Sequence, residues 1–257
     1  MSIRWAIRIR TLAELDASKS VGFESVQLPV DAVMMRDETS FAAERKRLAS
    51  TGLSFKAFEA PLPRSVQVTE QGFNTYYWTE YLGTALRRIS EIGCRTLTWG
   101  NGRSRLLPVE GDISTAREHF YQFMFLLCGI AERFDIRVCL EPLGPRRTNF
   151  LNSFEELEEC LSLINKPNLA MAISPRDLME LGTDEAALLK YGTMIAHVHM
   201  EHPVSPDTSV PPHPSDRYDY LPFLRALVTI GYSGVVALPP GSTKETLSYC
   251  MHLMEQV

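Results

Sequence analysis

The feature that most constrains this chain is a unit repeated along its whole length: an amphipathic helical stretch, a turn marked by Gly or Pro, then a short apolar strand. Gly22, Gly52, Gly93, Pro167, Gly192 and Gly231 punctuate six such joints. A helix between successive strands prevents a hairpin and returns the chain, so the next strand runs parallel to the last.

Eight strand candidates follow from this rhythm: Arg4–Arg10, Ser25–Leu28, Ser54–Phe58, Thr96–Gly100, Ile136–Glu141, Leu169–Ile173, Ile195–Met200 and Gly234–Leu238. Eight is the number that closes a parallel sheet into a (β/α)8 barrel, and 257 residues is near the ~250 typical of that architecture. The expected fold is α/β: residues 1–257 as a single TIM barrel domain, a parallel eight-stranded barrel wrapped by helices. Thr11…Glu14, Ser153…Glu156 and Ser242…Glu245 each read as the capping box that starts a helix. Only Glu59 to Phe73 and Glu201 to Arg217 are long connections; both follow strands and so belong on the C-terminal rim.

Composition narrows the function classes. The net charge is −5 with scattered Lys and Arg, which gives no basic footprint for a phosphate backbone, so nucleic acid is not expected as a partner. The longest apolar run, Phe123 to Ala131, is far short of the ~20 residues that span a bilayer, so no membrane partner is expected. Residues Met1 to Arg10 interleave three arginines with apolar residues and do not read as a signal peptide. Cys94, Cys128, Cys139, Cys160 and Cys250 form no C-x-x-C pair and read as reduced core thiols, which points to a cytoplasmic protein.

Alternation within strands decides which side chains enter the barrel, because the outer face must be apolar to meet the helices. In the fifth strand Ile136, Val138 and Leu140 face out, leaving Arg137, Cys139 and Glu141 inside. In the seventh, His197, His199 and Glu201 face in. The same parity yields a ring of rim positions: Gln27, Glu141, Ser174, His199 and Pro239.

The stretch Leu140-Glu141-Pro142-Leu143, followed by Thr148-Asn149-Phe150-Leu151-Asn152-Ser153, resembles the E-P-L-N…E-T-N-x-x-N-T segment of the sugar phosphate isomerase/epimerase family, within the xylose isomerase-like TIM barrels. Gly100 to Arg105 with Pro108, Lys166-Pro167-Asn168, His197-Val198-His199 and Gly231-Tyr232-Ser233-Gly234 match further family motifs in the same order. The resemblance runs from about Gly22 to Pro239. It implies a divalent cation held by glutamate, aspartate, histidine and glutamate, with the two glutamates moving protons on opposite faces of a sugar carbon. Carried over, Glu141 takes the first glutamate position and His199 the histidine, while Ser174 stands for the aspartate and Pro239 for the last glutamate. Gln27 replaces a further acid common at the second strand end, and the family H-x-x-D becomes His199-Met200-Glu201-His202.

The resemblance thus implies a divergent isomerase or epimerase of a sugar, sugar acid or sugar phosphate with an incomplete metal site. Glu141 and His199 are the catalytic pair, and any metal would rest on the same two residues. Asn149, Arg103, Arg105, His202, Trp99 and Gln27 are the expected substrate-binding residues, the arginines steering an anionic group. No cofactor is expected, unless His202 or Asp177 rebuilds a site for Mn, Mg or Zn. Salt bridges from Glu141 to Arg137, Arg146 or Arg147, and histidines bonded within the barrel, are the structural alternatives. Trp5, Phe58 and Trp99 read as core before sugar platforms, and Asp177, Asp207, His213 and Asp216 as solvated rim or loop residues. The competing function is a non-catalytic barrel that binds a carbohydrate or a protein partner. A zinc endonuclease would need more inward ligands and a basic face. The ligand is expected to be small and sugar-like, and a homo-oligomer is compatible with the family.

Overall fold

Eight strands, β1 (Arg4–Arg8), β2 (Ser25–Pro29), β3 (Ser54–Glu59), β4 (Thr96–Trp99), β5 (Arg137–Leu140), β6 (Leu169–Ile173), β7 (Ile195–His199) and β8 (Val235–Leu238), close into a barrel in sequence order. Every pair is parallel, and β1 joins β8 to complete the ring. The computed structural model describes residues 3–34, 37–204 and 209–257. Asp207 lies outside the described residues. Each strand sits where the apolar runs place it: β2 and β3 run one residue longer than expected, β6 matches, and the other five are shorter by one or two residues.

Alternation divides the core into two unequal parts. Outward residues such as Ile7, Val26, Leu97, Val138, Met171, Val198 and Val236 pack beneath the helices in one continuous apolar layer. Inside the barrel the apolar residues are small, with Ala6, Val235 and Ala237 in one patch and Cys139, Ala170 and Ala172 in another. Barrel interiors are ordinarily filled by bulky branched side chains. Small residues here leave volume for Gln27, His197 and His199, all buried within it.

The helix signals locate most termini. Thr11 and Glu14 form their capping box, and Ser153 Oγ accepts from Glu156 N at 3.1 Å at the start of the helix Phe154–Ile164. The third box is displaced by one residue: Thr243 and Thr246 cap the helix Lys244–Met254, while Ser242 Oγ donates to the Pro239 carbonyl at 2.8 Å. Gly93 ends the helix Thr75–Ile92 at φ 112°, a conformation that side chains with a Cβ rarely adopt. All five cysteines are buried free thiols. Among the described residues no helix is long and apolar enough to cross a membrane.

Candidate active site

A cavity of about 590 Å³ opens at the carboxyl ends of the strands. Its charged lining comprises six arginines (Arg8, Arg10, Arg64, Arg103, Arg147, Arg176) and three glutamates (Glu59, Glu141, Glu201). Arg8 arrives from β1, Glu59 ends β3, and Glu141 and Glu201 follow β5 and β7.

Of the predicted ring, Glu141 alone lines the cavity; Gln27, Ser174, His199 and Pro239 are buried away from it. Arg8, Glu59 and Glu201 line the mouth instead. Ser174 caps the short helix Pro175–Glu180, exchanging hydrogen bonds with Asp177 through its hydroxyl (Oγ to Oδ2 2.7 Å; Asp177 N to Oγ 3.1 Å). Pro239 is buried in the turn after β8, and Pro240 takes its place on the lining.

Beneath the cavity lies a hydrogen-bonded chain of polar side chains. Gln27 Nε2 stands 3.2 Å from Glu59 Oε2, 3.2 Å from Thr98 Oγ1 and 3.1 Å from His199 Nε2. A carboxylate can only accept, so Glu59 orients the amide with its NH2 toward this cluster and its oxygen toward His197 Nε2, 2.9 Å away. His199 Nε2 is then an acceptor, and its proton is assigned to Nδ1, which faces Glu141 Oε1 at 3.4 Å. Burial, followed by the charge of Arg8, keeps both imidazoles neutral: His197 is pushed down to about 3 and His199 well below its ordinary value. His197 Nδ1 has no hydrogen-bond partner among the described residues, which fits a ring that carries no second proton.

Glu141 is the poised group. Burial, then the negative charge of Asp177, pushes its carboxyl up to about 8, against the pull of Arg8 and Arg147. Its carboxyl lies directly against Gly100, where a Cβ would overlap both carboxyl oxygens. Arg105 braces it from behind, donating from Nη2 to the Glu141 carbonyl at 2.7 Å. The Arg105 guanidinium is fully buried, and desolvation lowers it to about 10.

The remaining predicted residues separate into two groups. Arg103 lines the cavity. Trp99 is buried in the outer layer against Phe120 and Phe123, at ring separations of 5.8 and 5.7 Å, as the core reading of that ring expects. Asn149 clamps a loop through Leu107, accepting from its N–H at 2.8 Å and donating to its carbonyl at 3.0 Å. His202 faces Asp216 at 3.7 Å. Arg137 is exposed at the opposite end of the barrel, and Arg147 pairs with Asp177 and, at 2.8 Å, with Glu180.

These donors do not suit the divalent cation that the resemblance implies. Asp177, buried rather than solvated because Ser174 and Arg147 satisfy its carboxylate, is committed to those two residues, His202 to Asp216, and His199 Nε2 to Gln27. Among the described residues no group of three His, Cys, Asp or Glu side chains is placed to hold a metal ion. Glu59 and Glu201, the acids that join Glu141 at the mouth, both face the Arg8 guanidinium.

Arg8, Arg10, Glu59, Arg64 and Arg176 are charged lining residues that sequence reasoning passed over. Alternation in β1, with Trp5, Ile7 and Ile9 on one face, already sends Arg8 inward at the strand end, and the same parity in β3 sends Glu59 there. Arg176 follows Ser174 on a helical turn, where strand parity says nothing.

A family profile described as xylose isomerase-like TIM barrel matches residues 15–247. Among solved structures, a D-psicose 3-epimerase crystallised in the presence of D-fructose superposes with a TM-score of 0.82 at 13% identity, over 98% of this chain and 99% of that one. A xylose isomerase domain protein from Alicyclobacillus acidocaldarius subsp. acidocaldarius gives 0.80 at 18% identity, over 99% of both chains. The apo 3-keto-D-glucoside 4-epimerase of E. coli gives 0.78 at 13% identity, over 98% of this chain and 100% of that one. A search of curated proteins finds no match. At these identities the likeness to the solved structures shows the fold.

Proposed function

Because the chain belongs to the xylose isomerase-like TIM barrels, we propose that it moves a proton between carbons of an anionic sugar derivative, a sugar acid or sugar phosphate, from a family metal site reduced to Glu141 and His199. One observation carries the reading: a buried carboxyl with a perturbed proton affinity forms part of a cavity whose arginines outnumber its glutamates six to three. Structural neighbours that are sugar epimerases support the sugar class of ligand. Arg10, Arg64 and Arg103 are exposed on the lining and suit the anionic group, which leaves the carbonyl end of the substrate for Glu141.

The chemistry follows from a single proton carrier. The Glu141 carboxylate takes the proton from the carbon beside the substrate carbonyl. The C–H electron pair becomes the C=C bond of an enediolate, and the carbonyl π pair moves onto its oxygen. The proton of the adjacent hydroxyl passes to the enediolate oxygen, and Glu141 returns its own proton to the former carbonyl carbon through the C=C electron pair, while the oxygen now left negative closes the new carbonyl. His199, neutral with Nδ1–H toward Glu141, holds the carboxyl in place and takes no proton. A lone carrier works on one face of the substrate, so isomerisation between adjacent carbons suits this site better than inversion at one carbon, which needs a second donor where Pro239 stands.

Proton NMR in D2O against a panel of phosphorylated and carboxylated sugars tests this. Deuterium should enter at the carbon beside the carbonyl, with the rate rising through about pH 8 as Glu141 ionises. Glu141→Gln should slow exchange by about 100-fold or more. Unchanged turnover in that variant on every accepted substrate would mean that the mechanism is wrong. The second reading, a binding barrel without chemistry, draws on the use of Ser174 and the Pro239 carbonyl in helix and turn capping. Binding of a sugar anion with no exchange in wild type would select it.

A further inference from the structure

We infer that the Arg8 guanidinium is the built-in cation of this site, placed to receive the two adjacent oxygens of the sugar as negative charge develops on them. The inference rests on the proton-transfer reading above. Isomerisation through an enediolate needs a positive charge beside that oxygen pair, and the donors around Glu141 do not suit a divalent ion.

Arg8 meets the requirement by position and by anchoring. The parity of β1 turns it into the barrel, and it lines the same cavity as Glu141. Its Nε donates to Glu59 Oε2 at 2.9 Å and its Nη1 to Ser209 Oγ at 3.3 Å, with Glu201 Oε2 3.8 Å away. Nη2 has no hydrogen-bond partner among the described residues, and 18% of the side chain is exposed. Two of its three nitrogens are therefore anchored, and Nη2 keeps its N–H groups for a ligand in the cavity that Arg8 lines.

Two consequences follow from the chemistry of a guanidinium. It stays charged at every pH a protein survives, and its planar fork of N–H groups matches two neighbouring oxygens as a compact ammonium cannot. It also engages the carboxylates that would otherwise attract a dication: Glu59 is paired with Arg8, and Glu201 is shared between Arg8 and Arg176. A fixed positive charge at the mouth repels a free cation, so the substitution of the family ligands and the presence of Arg8 reinforce one another.

Oxalate, a planar dianion with adjacent oxygens, is the probe. Calorimetric titration into chelator-treated full-length protein should show binding without added metal. Arg8→Met should weaken it by about 30-fold or more, and Arg8→Lys should recover part of that loss. Should Arg8→Met not fold, because Glu59 is left unpaired, the double variant Arg8→Met/Glu59→Gln removes both charges and should show the same loss.

Binding that appears only with added Mn²⁺ or Mg²⁺, or that is lost in Arg103→Met and kept in Arg8→Met, overturns the inference. Arg8-dependent binding in a protein that never exchanges a substrate proton would sink the proton-transfer reading and leave the anion site standing. Glu141-dependent turnover with Arg8-independent binding would do the reverse.

Discussion

Replacing Glu141 with glutamine isolates the cost of holding a charge inside this barrel. Burial and Asp177 raise the carboxyl from 4.5 to about 8, so across that interval the folded protein keeps a proton that the unfolded chain has released. The stability tied to this group is therefore intact below pH 4.5 and is lost as pH rises toward 8. At about 1.36 kcal/mol for each tenfold change in proton affinity, the loss grows to about 5 kcal/mol once pH exceeds 8. Glutamine has the size of the protonated acid, keeps an acceptor toward His199 Nδ1, and has no proton to lose. Urea unfolding at several pH values reads the difference, and the titration of groups that do not interact with Glu141 cancels between the two proteins. The curves should nearly coincide at about pH 5, and the variant should be more stable by several kcal/mol at about pH 9, roughly 10 °C in melting temperature. If Glu141→Gln is instead the less stable protein at high pH, Arg8 and Arg147 hold the carboxylate ionised and the argument from burial is refuted.

Gly100→Ala places a Cβ onto the Glu141 carboxyl, the movable end of a side chain, so the fold should lose no more than about 2 kcal/mol while proton exchange falls as far as in Glu141→Gln. A large loss of stability with activity retained would show that the carboxyl does not need its present place. Gln27→Met leaves His197 Nε2, His199 Nε2 and Glu59 short of a partner and should cost about 3 kcal/mol in chemical denaturation; a neutral result would mean that water takes over those bonds. His197, lowered from 6.5 to about 3, contributes stability that is complete above pH 6.5 and lost on acidification, about 3 kcal/mol by pH 4.5. His197→Gln should accordingly unfold with a shallower acid dependence than wild type, and identical slopes would place that ring in water.

Much of this molecule was legible in the order of its residues because the relevant rules are local. Val198 and Met200 on one side of a strand, His197 and His199 on the other, follow from a period of two and from the need to bury apolar surface against helices. The eight strands and the inward direction of Glu141 and the two histidines come from that level, while the family resemblance implied that Ser174 and Pro239 stand where the family keeps carboxylates. So does the error of one residue at Ser242, where two adjacent hydroxyl residues both suit a cap and the turn after β8 assigned the role to Thr243.

What only the tertiary structure decided is which charges meet. Arg8 lies 51 positions from Glu59 and 201 from Ser209, and Gln27 lies 172 from His199. No periodicity links such residues; closing β1 onto β8 and bringing Glu59 and Ser209 to one mouth does. That closure placed Arg8, Glu59 and Glu201 on the cavity and left four of the five predicted rim positions off its lining. It turned Arg105 inward to brace Glu141 and gave Asn149 to a loop clamp. The residues alone could assign each side chain a face, because a face depends on neighbours in the chain. The choice of partner, and with it the charge and protonation of Glu141, depends on distance in space and on exclusion of water, which the closed barrel alone provides.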